Sequence, residues 1–152
     1  MKREKEVKQM KSNRRTIRRA HWFLSLGLAF TLSAGLQSCQ ESLEQRAARE
    51  AAEFTQKSCP TPERDNMITD SMTFDIPTHT FVYYYSVTGP ADNAANFVGR
   101  EGPLHDVLAN AVRNDTQTKR YKDAGYTFRY VYRSQKEKRV LFDTTVKAEE
   151  YR

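Results

Sequence analysis

Apolar residues recur along this chain with two different periods. Between residues 41 and 57, Leu43, Ala47, Ala51 and Phe54 fall at helical spacing, while Glu44, Arg46, Arg49, Glu50, Glu53 and Lys57 occupy the opposite face. That pattern predicts an amphipathic helix with a thin, half-alanine stripe. Pro60 disfavours helix at Cys59 and ends it. The period then changes to two. Met72-Thr73-Phe74-Asp75-Ile76 alternates, Pro77-Thr78 offers a turn, and residues 79–88 are β-branched and aromatic. In that second strand Phe81, Tyr83, Tyr85 and Val87 share one face and Val82 and Tyr84 the other. Large apolar groups on both faces mark a central strand.

Gly89-Pro90 stops the strand, and a polar loop rich in Ala, Asn and Gly runs to residue 102. Leu104, Val107, Leu108, Ala111 and Val112 then follow the i, i+3, i+4, i+7, i+8 rule of a core-facing helix, with Gly102-Pro103 suited to its start. After Gly125, Tyr126, Phe128, Tyr130 and Tyr132 alternate with Thr127, Arg129, Val131 and Arg133. A turn at 134–138 leads into a last strand whose inward face is Val140, Phe142, Thr144 and Val146. The order is α-β-β-α-β-β. Short turns make antiparallel pairs, so the expected α+β domain is a four-stranded antiparallel sheet with helix packed on one face. Tyr83, Tyr85, Phe128 and Tyr130 should then be mostly buried under the helix at 104–112, with Tyr84 and Arg129 on the other side.

The region upstream of this pattern reads differently. Nine of the 25 Lys and Arg residues, but only two of the 19 acids, lie in residues 1–38, so the basic net charge of +6 belongs to that tail and the remainder is near neutral. A near-neutral remainder without an arginine-rich patch argues against nucleic-acid binding. An uncharged, mostly apolar run from His21 to Leu36 follows the basic residues, the pattern of a secretory signal, and it is short for a bilayer span. Met10 heads an alternative start. The Arg14-Arg15 pair is followed by Arg18 where a twin-arginine signal needs an apolar residue, which favours general secretion.

Leu36-Gln37-Ser38-Cys39 resembles the lipobox of bacterial lipoprotein signals, with Gln37 departing from the usual small or aliphatic residue. The resemblance implies cleavage before Cys39 and acylation of its thiol, and acyl chains anchor stably when two or more are attached. The expected organisation is a lipoprotein signal peptide at 1–38, a tether and amphipathic helix at 39–57, and one domain at 58–152. Gly125-Tyr126-Thr127-Phe128-Arg129-Tyr130-Val131-Tyr132 resembles the G-x-T-x-x-Y-x-Y strand of a family of small exported bacterial proteins of unknown function. Phe81–Val87 is similar to that family's earlier strand, Cys59-Pro60 to its opening apolar-Pro pair, and Glu150-Tyr151 to its ending. The likeness spans most of 54–151 and implies export to the cell envelope, but no activity.

Candidate chemistry is sparse. With Cys39 acylated, Cys59 is the one thiol left, and pairing it with His79 or His105 would make a nucleophile and base. Those two histidines are too few for a metal site, and Pro77 and Pro103 break the spacing to Asp75 and Glu101. Asp65 and Asp70 read as loop charges. Phosphate-binding loops, serine-nucleophile motifs and cofactor signatures are absent. The best candidate is the aromatic sheet, where Tyr83, Tyr85, Tyr130 and Tyr132 could offer a stacking surface to a protein, peptide or glycan partner. Loop 89–102 inserting into a partner's cleft is the inhibitor-like alternative. Because one residue carries the anchor, Cys39→Ser should abolish incorporation of a fatty-acid analogue; label persisting in that variant would contradict the lipoprotein reading.

Overall fold

Ser42 opens the first helix, α1 (Leu43–Ser58), through a capping box: its hydroxyl accepts from the Gln45 N–H, and the Gln45 side chain accepts from the Ser42 N–H. The computed structural model describes residues 41–152. The expected signal peptide and Cys39 lie outside the described residues. The polar face of α1 carries Arg49, Glu53 and Lys57, which form a chain of ion pairs with Glu41 just ahead of the helix. Its other face is so small that Ala47 and Ala51 become fully buried against the sheet. Phe54 stays at the rim, 36 % exposed.

Strands β1 (Met67–Asp75) and β2 (Thr80–Val87) form an antiparallel hairpin. The turn at its tip places His79 at positive φ and takes Ile76, 47 % exposed, out of the strand it was expected to end. Two short 3-10 turns follow, Gly89–Ala91 and Ala94–Asn96. Then come α2 (Glu101–Asn114) and a helical turn, α3 (Lys119–Asp123). β3 (Thr127–Ser134) and β4 (Val140–Val146) form the second antiparallel hairpin, and α4 (Ala148–Tyr151) closes the fold. No helix among the described residues is long and apolar enough to cross a membrane.

The sheet order is β1-β2-β3-β4, and the central pair β2/β3 is parallel. The expected all-antiparallel sheet is therefore corrected to a mixed one. Short turns govern only the two hairpins. Between Val87 and Thr127 the chain has a helix and enough length to cross over and re-enter in the same direction. At the re-entry, Gly125 has φ +80, and a Cβ there would stand 3.0 Å from the Arg152 guanidinium.

Strand parity divides the rings between the two faces as the sequence implies, but of the four expected to be mostly buried only Phe128 is, while Tyr83, Tyr85 and Tyr130 stay half-buried. Phe81, Phe128 and Val146 form the centre of the core with Ala47, Ala51, Ala109, Val112, Tyr121, Tyr126 and Tyr151, and Tyr83 and Tyr130 pack against it. The alternation puts Tyr84 and Arg129 on the other face, where the Arg133 guanidinium lies 5.2 Å from the Tyr84 ring centre. The α2 stripe is rotated from expectation. Ala109 and Val112 are buried and His105 is half-buried, while Val107 is 65 % exposed and Ala111 is exposed. The cause is His105, whose ring nitrogens bond Thr144 Oγ1 at 2.7 Å and Glu150 Oε1 at 2.6 Å, tying α2 to β4 and α4. Phe128 is 1 % exposed at the centre of the core. Phe128→Ala should cost about 3–5 kcal/mol in urea unfolding, and Tyr84→Ala clearly less; equal losses would contradict this placement of the core.

Candidate functional site

A parallel pair in register sets like positions side by side at the strand spacing, about 4.8 Å. Here the like positions are aromatic: Phe81 opposite Phe128, Tyr83 opposite Tyr130, and Tyr85 opposite Tyr132. The resulting rungs are stacked, with ring centres 5.8, 5.1 and 4.9 Å apart and planes within 9°, 10° and 14° of parallel. Offset stacking at such separations is favourable beyond the area it buries. The lowest rung continues into Phe74 on β1 at 4.7 Å, and the highest into Phe142 on β4 at 5.8 Å. The structure thus brings all four tyrosines singled out in the sequence onto one face of the two central strands.

The two ends of this ladder differ chemically. At the Phe81/Phe128 end every buried tyrosine hydroxyl is used. Tyr121 donates to Glu50 at 2.7 Å, Tyr126 to Glu44 at 2.9 Å, and Tyr151 to the Tyr126 carbonyl at 2.6 Å. These three were not singled out from the sequence as a group, because their partners lie as many as 82 residues away. Tyr83, Tyr85, Tyr130 and Tyr132 are half-buried and have no hydrogen-bond partner among the described residues. Burial pushes all four phenols up, so they remain neutral and can both donate and accept. Tyr126 is pushed up to about 12 by burial and by the Glu44 carboxylate.

The open end is bordered by a cleft of about 460 Å³, lined by Thr61, Pro62, Arg64, Met67, Thr69 and Tyr85 among others. On its other side Phe97 reaches over to Phe142, ring centres 6.3 Å apart. Loop 89–102 is knitted down: the Asn96 amide donates to the Pro90 and Ala91 carbonyls, and Asp92 accepts from the Lys136 N–H at 2.9 Å.

The remaining candidates are not brought together. Cys59 caps α1, and burial followed by the nearby Asp70 charge pushes its thiol up, the reverse of what an activated nucleophile needs. His79 stacks on Tyr126 at 5.0 Å, at the opposite end of β2, and His105 is bound up with Thr144 and Glu150. Asp70 accepts from Ser86 at 2.8 Å, while Asp65 sits at positive φ beside the cleft. Among the described residues no three of His, Cys, Asp and Glu gather as metal ligands would.

Residues 42–142 match the model of a family described as a domain of unknown function (DUF8479), and the chain belongs to that family. No curated protein matches it. Three solved structures share its fold. A candidate secreted protein from Pseudomonas aeruginosa has a TM-score of 0.58 at 14 % identity, covering 73 % of this chain and 98 % of its own. The pilotin EpsS of the Vibrio vulnificus type 2 secretion system has a TM-score of 0.53 at 14 % identity, covering 72 % and 91 %. The type II secretion system pilotin AspS from Vibrio cholerae has a TM-score of 0.51 at 15 % identity, covering 70 % and 90 %.

The site's scaffold carries a pH dependence. The Lys147 N–H and the His105 ring hold the Glu150 carboxyl below its ordinary range. A carboxyl lowered on folding stabilises above its unfolded pKa, and that contribution is lost as pH falls through the folded value. In urea unfolding, Glu150→Gln should therefore be less stable than wild type at pH 7, and the gap should close below about pH 4. A gap independent of pH would contradict an ionised Glu150.

Proposed function

We propose that this chain is an exported protein of the bacterial cell envelope, anchored through acylated Cys39, that acts by holding a partner molecule on Tyr83, Tyr85, Tyr130 and Tyr132. The observation that carries this reading is the contrast within one aromatic ladder. Where the ladder serves as core, each buried tyrosine hydroxyl has a partner. Where it reaches the open end, four stacked tyrosines keep theirs unassigned among the described residues. A half-buried ring with a spare hydroxyl offers stacking area and a hydrogen bond at low entropic cost, which suits a peptide or a glycan. The signal pattern and lipobox-like Leu36–Cys39 support the address. The fold shared with a candidate secreted protein and with secretion-system pilotins is compatible with it.

The reading makes a positional prediction. A photo-crosslinking residue placed at 85 or 132 should give a discrete, higher-mass product in intact cells, and the same residue at 73 or 129 on the other sheet face should not. Products of equal yield at all four positions would contradict a tyrosine-face site.

A further inference from the structure

The domain has two ends along its strands, and an anchor at Cys39 reaches only one of them. Two peptide links join Cys39 to Glu41, so their Cα atoms stay within about 8 Å of each other. The first turn of α1 touches the tip of the β1–β2 hairpin: His79 Nε2 lies 3.9 Å from Glu44 Oε1, and the Tyr126 hydroxyl donates to the same oxygen at 2.9 Å. Tyr126 leads into β3, where Thr127 N–H donates to His79 O. The start of α1, the hairpin tip and the start of β3 therefore share one end. Tyr85 and Tyr132 lie about 17 Å further along their strands, toward the other.

The surface of the anchored end is apolar at one place and basic at another. β1 ends at Asp75 and β2 begins at Thr80, so residues 76–79 project beyond the sheet. Turns favour Gly, Pro, Asn, Asp and Ser. Ile76 is none of these, yet it is 47 % exposed there, with Pro77 exposed beside it. The acids around the tip are engaged: Glu41 with Arg49 at 2.8 Å, Glu44 with Tyr126, and Asp75 with the Thr78 hydroxyl. The basic part adjoins the start of β3, where the Arg152 guanidinium stands against Gly125. Arg152 borders a cleft of about 480 Å³ lined also by Arg113, Lys119 and Lys122, against two acids, Asp115 and Asp123. Asp115 accepts from the Thr118 hydroxyl at 2.7 Å, and Asp123 is paired with Lys119 at 2.7 Å. Positive charge is left in excess.

We infer that this end of the domain rests on the membrane surface that holds the acyl chains, an inference that stands on the Cys39 anchor proposed above. Ile76 and Pro77 enter the lipid interface, and the bases about the 113–152 cleft meet headgroup phosphates. Apolar groups flanked by Lys and Arg are what interfacial protein surfaces present to lipid. Attraction of bases to an anionic leaflet acts only within a Debye length, and the short link to Cys39 keeps this end within that range. A second copy of the chain fits less well, because a two-fold contact through this end would set the same excess of positive charge against itself. The tyrosine site is then turned away from the bilayer, toward partners in the compartment.

The test uses the full chain, expressed in a bacterium and purified from its membranes, with Trp22→Phe in every sample so that one introduced tryptophan reports. Mass spectrometry first reads whether Cys39 is acylated. Ile76→Trp marks the anchored end, and Val98→Trp marks the other, at a position 73 % exposed next to Phe97, whose ring faces Phe142. The vesicles are phosphatidylethanolamine and phosphatidylglycerol with a nitroxide-labelled lipid at headgroup depth. Ile76→Trp fluorescence should be quenched about threefold more strongly than that of Val98→Trp, as for one residue in the interface and one a strand length above it. Adding Lys119→Glu and Arg152→Glu should roughly halve the quenching at position 76. With Cys39 acylated, equal quenching at 76 and 98, the result for a domain turning freely on its tether, would overturn this inference and leave the anchor standing. An unacylated Cys39 would overturn the anchor and this inference with it. A blue shift at 76 without quenching by the nitroxide would overturn it in favour of self-association.

Discussion

The parallel, in-register pairing of β2 with β3 is the constraint on which the rest depends. It matches Phe81–Val87 against Phe128–Ser134 residue for residue, so on the core-facing side each aromatic of β2 meets an aromatic of β3, Phe against Phe and Tyr against Tyr. An antiparallel pairing of the same two strands about Tyr83 and Tyr130 would set Phe81 against Tyr132 and Tyr85 against Phe128, and the separate phenylalanine and tyrosine ends would be lost. The strand spacing is close to the ring separation that stacked aromatics favour, so the backbone and the side chains ask for the same geometry. The two hairpins then add β1 and β4 outside this pair.

The candidate surface follows from that arrangement. The helices cover the phenylalanine rung with alanine and valine, and α3, α4 and the start of β3 contribute Tyr121, Tyr151 and Tyr126. These finish the core and fasten α1 through Glu44 and Glu50. The tyrosine rungs further along are only half-buried, flanked by the 61–69 cleft and by Phe97. The same pairing leaves β1 and β4 as edges, and Thr55, Thr61 and Arg64 take up outward peptide groups of β1.

Much of this was legible in the sequence, because strand parity is a local property. The faces of 81–87 and 126–132, the four tyrosines and the helix near 104–112 all follow from periods of two and 3.6. What was not legible depends on distant partners. The direction of β3 relative to β2 is set by a crossover rather than by turn residues. The rotation of α2 is set by His105, a polar residue that periodicity discounts but Thr144 and Glu150 draw inward. The short helices α3 and α4 have too few residues for a period, and the use of the Tyr121, Tyr126 and Tyr151 hydroxyls depends on acceptors elsewhere in the chain.

The central claim is that the tyrosines packed around one end of the aromatic ladder spend their hydroxyls on the fold while those at the other end keep them for a partner. A tyrosine-to-phenylalanine scan read by urea unfolding tests it most directly, since each change removes one hydroxyl and leaves the ring. Tyr121→Phe, Tyr126→Phe and Tyr151→Phe should each cost about 1–2 kcal/mol, the loss of a buried hydrogen bond. Tyr83→Phe, Tyr85→Phe, Tyr130→Phe and Tyr132→Phe should stay within about 0.5 kcal/mol of wild type. Losses at those four as large as at the other three would mean that their hydroxyls serve the fold, and would contradict the account.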